Sequence, residues 1–383
     1  MKVVIGITGS IAGYKALELI RLLRRKGNEV RVVLTKSALE FVTPISCQTL
    51  SDNEVYIDQF ALTKGIKHLS LNDWADILVV APATANIIGK AANGIGDDLL
   101  STTLISFQKP ILFVPAMDSG MWSNNIVQDN LKKLKKNGYY ILEPDSGPLA
   151  SGKIGKGRFP RVERIYNKIL VCINDYRTLG GKKILITGGR TEEDIDSVRV
   201  ITNRSSGIMA LELYEAAKCR DGDVRLIMGQ AGVSVPDEPE IIRVRTSYEM
   251  LNTLKKHIEW ADVLIMSAAI GDYKPLELSH TKIHADSLRL VLKKNIDILK
   301  SIKNYKKYKI FIGFSVEDKD ALKRAQKKLK EKGLDYIVSN PVSVIGKETT
   351  SVTILKKNGE FLELGRLSKW ELANQILDLI ARE

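Results

Sequence analysis

The chain has 383 residues, 44% of them apolar, and a formal net charge of +13. That length suits two cores rather than one, and no run of about 18 uncharged apolar residues marks a membrane-spanning helix. Cys47, Cys172 and Cys219 are too few and too scattered for a disulfide framework or a metal cluster. A reducing, cytoplasmic setting is therefore expected, and no signal peptide, because the chain opens on a strand pattern.

Residues 2–8 read as a buried strand that ends in the glycine turn Gly9-Ser10. Apolar Ile11, Leu17, Leu19, Ile20, Leu22 and Leu23 predict a helix over 11–26, closed by Gly27. Val30–Leu34 is the next strand. Strand and helix then alternate through Ile77–Ala81, a helix from Ala85, Ile111–Pro115, a helix over 124–137 and a strand at Tyr140. Continuous apolar strands alternating with helices imply a parallel sheet covered on both faces. The pattern restarts at Lys183-Ile-Leu-Ile-Thr-Gly-Gly, with strands expected at 183–187, 224–228, 263–267, 310–313 and 335–339. Helices are expected over 206–218 and 320–332. A hairpin, 351–356 and 360–364 around Lys357-Asn-Gly, precedes a C-terminal helix from Lys369. The expected fold class is α/β, with two doubly wound, mainly parallel, Rossmann-like domains over 1–180 and 181–383.

The basic balance first suggests nucleic acid. Aromatics at 6% leave few stacking platforms, and the lysines fall on helix-like faces, so no nucleic-acid partner is expected. Residues 293–332 hold 14 Lys or Arg against 5 Asp or Glu, a local net of +9. This is either a solvated face or a polyphosphate site. Neither glycine opening has the Gly-x-Gly-x-x-Gly spacing with a later ribose-binding acid, which argues against a dinucleotide oxidoreductase.

In the first half, Thr84 and Asn86 follow a strand that ends at Pro82, where α/β sheets bind ligands. Asp97-Asp98 at a glycine turn suit a helix cap better than a metal. Pro115-Ala-Met-Asp-Ser-Gly-Met-Trp122 begins at another strand end, and the glycine-rich run 147–158 suits a mobile lid. His68 carries an imidazole, the side chain most often used as a general base. In the second half, Thr202-Asn-Arg-Ser-Ser-Gly207 fits an anion cradle or simply an N-cap and turn. Asp272 and Phe314 follow strands, and Lys328 and Lys332 share a helix face.

Residues 1–165 resemble the flavin-dependent cysteine decarboxylases, in particular those acting on phosphopantothenoylcysteine. The resemblance rests on His68, the Ala81–Asn86 run, the Pro115–Trp122 motif and the 147–158 flap. It implies FMN as cofactor, with Gly9, Ser10, Thr35, Thr84 and Asn86 as its binding positions and His68 as the catalytic base. It further implies substrate contacts at Asp118 and Met121 and a flap proton donor at position 151. In the family's chemistry the flavin oxidises the substrate at its thiol carbon, CO2 leaves, and the electrons return to the enethiolate. Two positions depart from the family. Asp118 replaces an asparagine that holds the substrate carboxylate, and Ser151 replaces the proton-donating cysteine, whose thiol is more acidic than a hydroxyl by several pKa units. An ionised Asp118 would repel a carboxylate, so it serves only protonated or turned away. The alternative expectation is an active ligase behind an impaired or structural flavoprotein half.

Residues 181–380 resemble the phosphopantothenate–cysteine ligases fused behind such decarboxylases. The resemblance implies CTP-dependent activation of 4′-phosphopantothenate as an acyl-cytidylate, followed by attack of cysteine. It assigns Asn203 and Arg199 to catalysis, and Asp272, Lys282, Ile296, Asp297, Ile298, Leu299, Phe314, Lys328 and Lys332 to the nucleotide, with Asp272 also on Mg2+. Here Asn295-Ile stands where the family has Asn-Pro, and His284 where it has lysine. The combined reading is a bifunctional enzyme of coenzyme A biosynthesis. Its partners are small molecules, and it forms a homo-oligomer of front-domain trimers and rear-domain dimers, a dodecamer in the fullest case. No membrane partner is implied.

Overall fold

A computed structural model describes residues 1–60, 67–174, 176, 178–284, 287–317, 321–341 and 349–383. The chain folds as two compact units, Met1–Asp175 and Tyr176–Glu383.

The front unit is built on six parallel strands. Their spatial order is Val55–Tyr56, Glu29–Leu34, Lys2–Ile7, Ile77–Ala83, Ile111–Pro115 and Tyr140–Ile141. Strand order reverses between Lys2–Ile7 and Ile77–Ala83, which opens a crevice at their carboxyl ends. All seven residues of Ile77–Ala83 are buried, which explains their unbroken apolar run. Alternation splits each strand between two cores. Val3, Ile5 and Ile7 pack under helices Gly13–Arg25 and Val162–Ile173, whereas Val4 joins the core beneath Ala85–Ala92, Leu99–Ser106 and Asn125–Lys136. Helix Gly13–Arg25 buries Ala16, Leu19, Ile20 and Leu23, a stripe at helical spacing. It starts two residues later than the apolar pattern predicts, because Ile11 remains in the turn and is exposed. Asp98 caps Leu99–Ser106 in a reciprocal capping box with Ser101, in keeping with the expected capping role.

The rear unit has eight strands. In order these are Ile241–Arg243, Asp223–Met228, Lys183–Gly188, Val263–Met266, Ile310–Glu317, Tyr336–Pro341, Thr349–Lys356 and Phe361–Ser368. The first six are parallel and the last two antiparallel. Helices Ile208–Cys219 and Lys369–Arg382 cover one face, and Ser247–His257 and Ala321–Lys332 cover the other. Both strands of the terminal hairpin run longer than the alternation suggests. An irregularity between Thr350 and Val352 restores register beyond the expected start. Arg220 and the C-terminal helix are joined inside this unit: Arg220 Nη2 donates to Asp378 Oδ1 at 2.6 Å and Nη1 to the Asn374 carbonyl at 3.1 Å.

Candidate functional site

In the front unit three strand ends meet at a cavity of about 510 Å³. Strand Lys2–Ile7 delivers Gly9 and Ser10. Ile77–Ala83 delivers Thr84, whose N–H donates to Thr8 Oγ1 at 3.2 Å. Ile111–Pro115 delivers Ala116, Met117, Asp118 and Met121. The fourth wall is an antiparallel hairpin, Asp145–Pro148 with Ile154–Arg158, within the glycine-rich run expected as a lid. The hairpin is tied at its base, where Met117 N–H donates to the Gly157 carbonyl at 3.0 Å. At its tip Ser151 Oγ donates to Asp118 Oδ2 at 2.9 Å.

Asp118 thus has both oxygens engaged. Oδ1 accepts the Gly120 N–H at 2.9 Å and caps the short helix Ser119–Trp122. The Gly120 N–H first, then the Ser151 hydroxyl, hold the Asp118 carboxyl below the usual carboxylate range. Asp118 is therefore ionised and paired rather than protonated. The two residues that depart from the family pattern touch each other.

Gly9, Ser10, Thr84, Asp118, Met121 and Ser151 line this cavity, while Thr35, His68 and Asn86 do not. Thr35 precedes the short helix Lys36–Glu40, and its Oγ1 donates to the Ile7 carbonyl at 3.4 Å. Asn86 is exposed on helix Ala85–Ala92. His68 lies half-buried on helix Lys67–Trp74, just past residues outside the described set. Sequence reasoning missed Tyr14, Lys15, Arg158 and Phe159, which also line the cavity. Lys15 lay in plain view, in the first turn after a glycine opening, where an anion would sit.

The donor set suits a flavin phosphate and ring. Hydroxyls of Ser10 and Thr84 and the cations Lys15 and Arg158 face the same space as apolar Ile11, Ala116, Met117 and Phe159. Helix Gly13–Arg25 begins beside this space; the Gly13 N–H donates to the Ser10 carbonyl at 2.8 Å and the Lys15 N–H to the Ala12 carbonyl at 3.0 Å, so what the helix start offers an anion is its positive dipole end and the Lys15 ammonium.

In the rear unit the candidate residues are spread over several elements. Arg199, Asn203, Asp272 and Lys282 lie on connecting segments, and Phe314 lies within strand Ile310–Glu317 rather than after it. Ile298 and Leu299 lie in helix Ile298–Ser301, and Lys328 and Lys332 lie in the last turns of helix Ala321–Lys332. Arg199 and Asn203 are exposed on either side of strand Val200–Thr202. Asp272 is exposed, and its carbonyl accepts the Asn295 N–H at 2.8 Å. Asn295 then organises the next loop. Its Nδ2 donates to the Gly271 carbonyl at 3.0 Å and to buried Glu193 at 3.2 Å, and its Oδ1 accepts the Ile296 N–H at 2.9 Å. These bonds fix the loop where the family has the stiffer Asn-Pro.

Asp297 caps helix Ile298–Ser301 and is ion-paired with Lys332. Burial opposes its ionisation, but Lys332 and the Lys300 N–H outweigh that cost and hold the carboxyl below its usual range. Ile298 is buried, whereas Ile296, Leu299 and Phe314 are partly buried against the two cores. Lys282 and Lys328 are exposed. Among the described residues no group of three or more His, Cys, Asp or Glu side chains is arranged to hold a metal. Asp272 would be a single carboxylate ligand, which is compatible with an ion that keeps waters and takes its remaining oxygens from substrate phosphates.

Known proteins match the whole chain. Residues 1–174 match the Flavoprotein family and residues 179–383 the DNA/pantothenate metabolism flavoprotein C-terminal domain. The coenzyme A biosynthesis bifunctional protein CoaBC of Bacillus subtilis is 39% identical over 390 residues, covering 99% of this chain and 96% of that one. The CoaBC of Borreliella burgdorferi is 36% identical over 384 residues, covering 99% and 98%. A crystal structure of the C-terminal domain of a CoaBC is 35% identical, covers 53% of this chain and 96% of that chain, and superposes with a TM-score of 0.46. The chain therefore belongs to the family of bifunctional CoaBC proteins of coenzyme A biosynthesis.

Proposed function

We propose that the rear unit joins 4′-phosphopantothenate to cysteine at the expense of CTP, and that the front unit decarboxylates the resulting phosphopantothenoylcysteine to 4′-phosphopantetheine. Membership over nearly the full length of the family supports both halves of this reading. The observation that carries the front half is the cavity at the strand-order reversal, where hydroxyls, two cations and an apolar wall meet.

FMN bound there would supply the two-electron chemistry that makes the thiol carbon an electron sink for loss of CO2. Ser10, Thr84 and Lys15 hold its phosphate, and the hairpin excludes water. His68 acts as the base. It lies outside the single-chain cavity, and a site completed by neighbouring subunits, as in front-domain trimers, brings it to the substrate. Ionised Asp118 orients the Ser151 hydroxyl, which takes the position of the family's proton donor. In the rear unit Lys282, Lys328 and Lys332 neutralise the triphosphate, Asp272 carries Mg2+, and Arg199 and Asn203 face the activated carboxyl. The rear units pair as dimers, and the protein works in the cytoplasm on small molecules.

The test is one coupled reaction of the purified full chain with 4′-phosphopantothenate, cysteine, Mg2+ and each nucleoside triphosphate, read by mass spectrometry. CTP should give CMP, pyrophosphate and a product that then loses CO2 from yellow protein. A colourless protein that takes up no FMN and leaves CTP intact refutes the reading.

A further inference from the structure

Two of the loops assigned to the ligase meet on one buried side chain, Asp196. It sits between strands Glu192–Asp194 and Val200–Thr202, and its side chain is 0% exposed. Oδ1 accepts the N–H groups of Val198 and Arg199 at 2.8 and 2.7 Å, which closes the local turn. The backbone of that turn makes no use of the second oxygen. Oδ2 instead accepts the N–H of Ile283 at 3.2 Å, 87 residues further along the chain, and lies 3.5 Å from Arg199 Nη1. Arg199 completes a bracket, because its Nη2 donates to the Ile283 carbonyl at 3.4 Å. Both backbone groups of Ile283 are thereby held by the 196–199 turn. The next residue back is Lys282, an ammonium on a flexible stem, whose reach is set by where its backbone is anchored.

We propose that Asp196 is a positioning residue for the ligation: it fixes the Lys282 backbone beside the Arg199–Asn203 loop, so that the cation meets the nucleotide where the carboxylate of the acid substrate is activated. This rests on the ligase reading above. The carboxylate form is required. An amide at 196 keeps an oxygen for Val198 and Arg199, but presents an N–H2 group to the Ile283 N–H, donor against donor, and leaves a buried donor without an acceptor. A second tie, Ser279 N–H to the Ile195 carbonyl at 3.2 Å, keeps the loop nearby when the first is lost, so the expected defect is misplacement of Lys282 rather than collapse of the loop.

The experiment is a double-mutant cycle in the full chain, with pyrophosphate release followed at varied CTP. Asp196→Asn should raise the KM for CTP about tenfold with a smaller change in kcat, the pattern of lost ground-state positioning. In Lys282→Ala the same Asp196→Asn change should add little, because the group it positions is gone. Ile283→Pro deletes the same N–H without altering a charge. It should reproduce the KM effect, and it decides the matter should Asp196→Asn fail to fold. Additive effects of Asp196→Asn and Lys282→Ala, or an unchanged KM in Asp196→Asn or Ile283→Pro, overturn the proposal while the active wild type keeps the ligase reading intact. A wild type that leaves CTP untouched overturns the ligase reading, and this proposal with it.

Discussion

Gly157 is where the hairpin over the front cavity is most sensitive. Its φ is +146°, and a Cβ added there would lie 2.1 Å from the Met117 carbonyl oxygen. Backbone cannot yield as a side-chain tip does, so the two segments must part by about 1 Å to restore van der Waals contact. That parting removes the Met117–Gly157 hydrogen bond, about 0.5–1.5 kcal/mol, and an L-residue at this φ adds about 1–3 kcal/mol of backbone strain. Together these amount to roughly 2–4 kcal/mol against the closed hairpin. If the bound flavin feels all of it, Gly157→Ala weakens FMN binding by about 30- to 900-fold. The assay is titration of the apoprotein with FMN, read by flavin fluorescence. Gly152→Ala is the matched control. It lies at the hairpin tip with φ +80° and no atom within 4 Å of its added Cβ, so it strains the turn without moving the wall. FMN binding by Gly157→Ala within about threefold of wild type would refute the idea that the hairpin closes on the flavin.

Three further outcomes are expected. Asp378→Ala takes the carboxylate partner from the fully buried Arg220 side chain and should cost about 3–5 kcal/mol in urea unfolding of the full chain; replacing both with Met and Leu should cost less. Because the native Asp118 carboxyl is held below its usual range, its contribution is complete above the ordinary aspartate value, about 3.9, and is lost as pH falls through the lowered native value. The Gly120 amide should therefore stay protected from hydrogen exchange at pH values where free aspartate already protonates, and loss of protection near pH 5 would contradict the pairing. Finally, Ser151→Cys combined with Asp118→Asn should speed formation of fully reduced 4′-phosphopantetheine, read by product mass, since a thiol gives up its proton far more readily than a hydroxyl. An unchanged rate would mean that the Ser151–Asp118 pair already performs that transfer well.

The central strands were legible because burial on both faces forces uninterrupted apolar runs, as in Ile77–Ala83 and Val263–Met266. Helix Ser247–His257 was not anticipated, although Thr246 and Glu249 carry its start signal and Thr246 accepts the Glu249 N–H. Met250, Leu251, Leu254 and Ile258, all buried, continue that signal at helical spacing, so this helix too was legible in the sequence. Cavity residues at strand ends, Gly9, Ser10, Thr84 and Asp118, follow from where parallel sheets bind ligands. The contacts that give them meaning do not. Ser151 finds Asp118 across 33 residues and Asp196 finds Ile283 across 87, and no local pattern encodes a partner at that distance. Thr35 entered through motif likeness alone, whereas His68 and Asn86 also had an argument from imidazole chemistry and from a strand end; none of the three lines the cavity of the single chain.

The Arg220–Asp378 pair has a bearing on how the rear unit is made. A guanidinium in helix Ile208–Cys219's closing turn shares its hydrogen bonds with a helix translated some 150 residues later. While the ribosome is still adding that helix, Arg220 lacks its carboxylate partner and one face of the eight-stranded sheet is covered by helix Ile208–Cys219 without its second helix. The front unit emerges first with its own two cores complete, so a nascent chain stalled before Asp378 would carry a finished flavin-binding module trailing an open, protease-sensitive one.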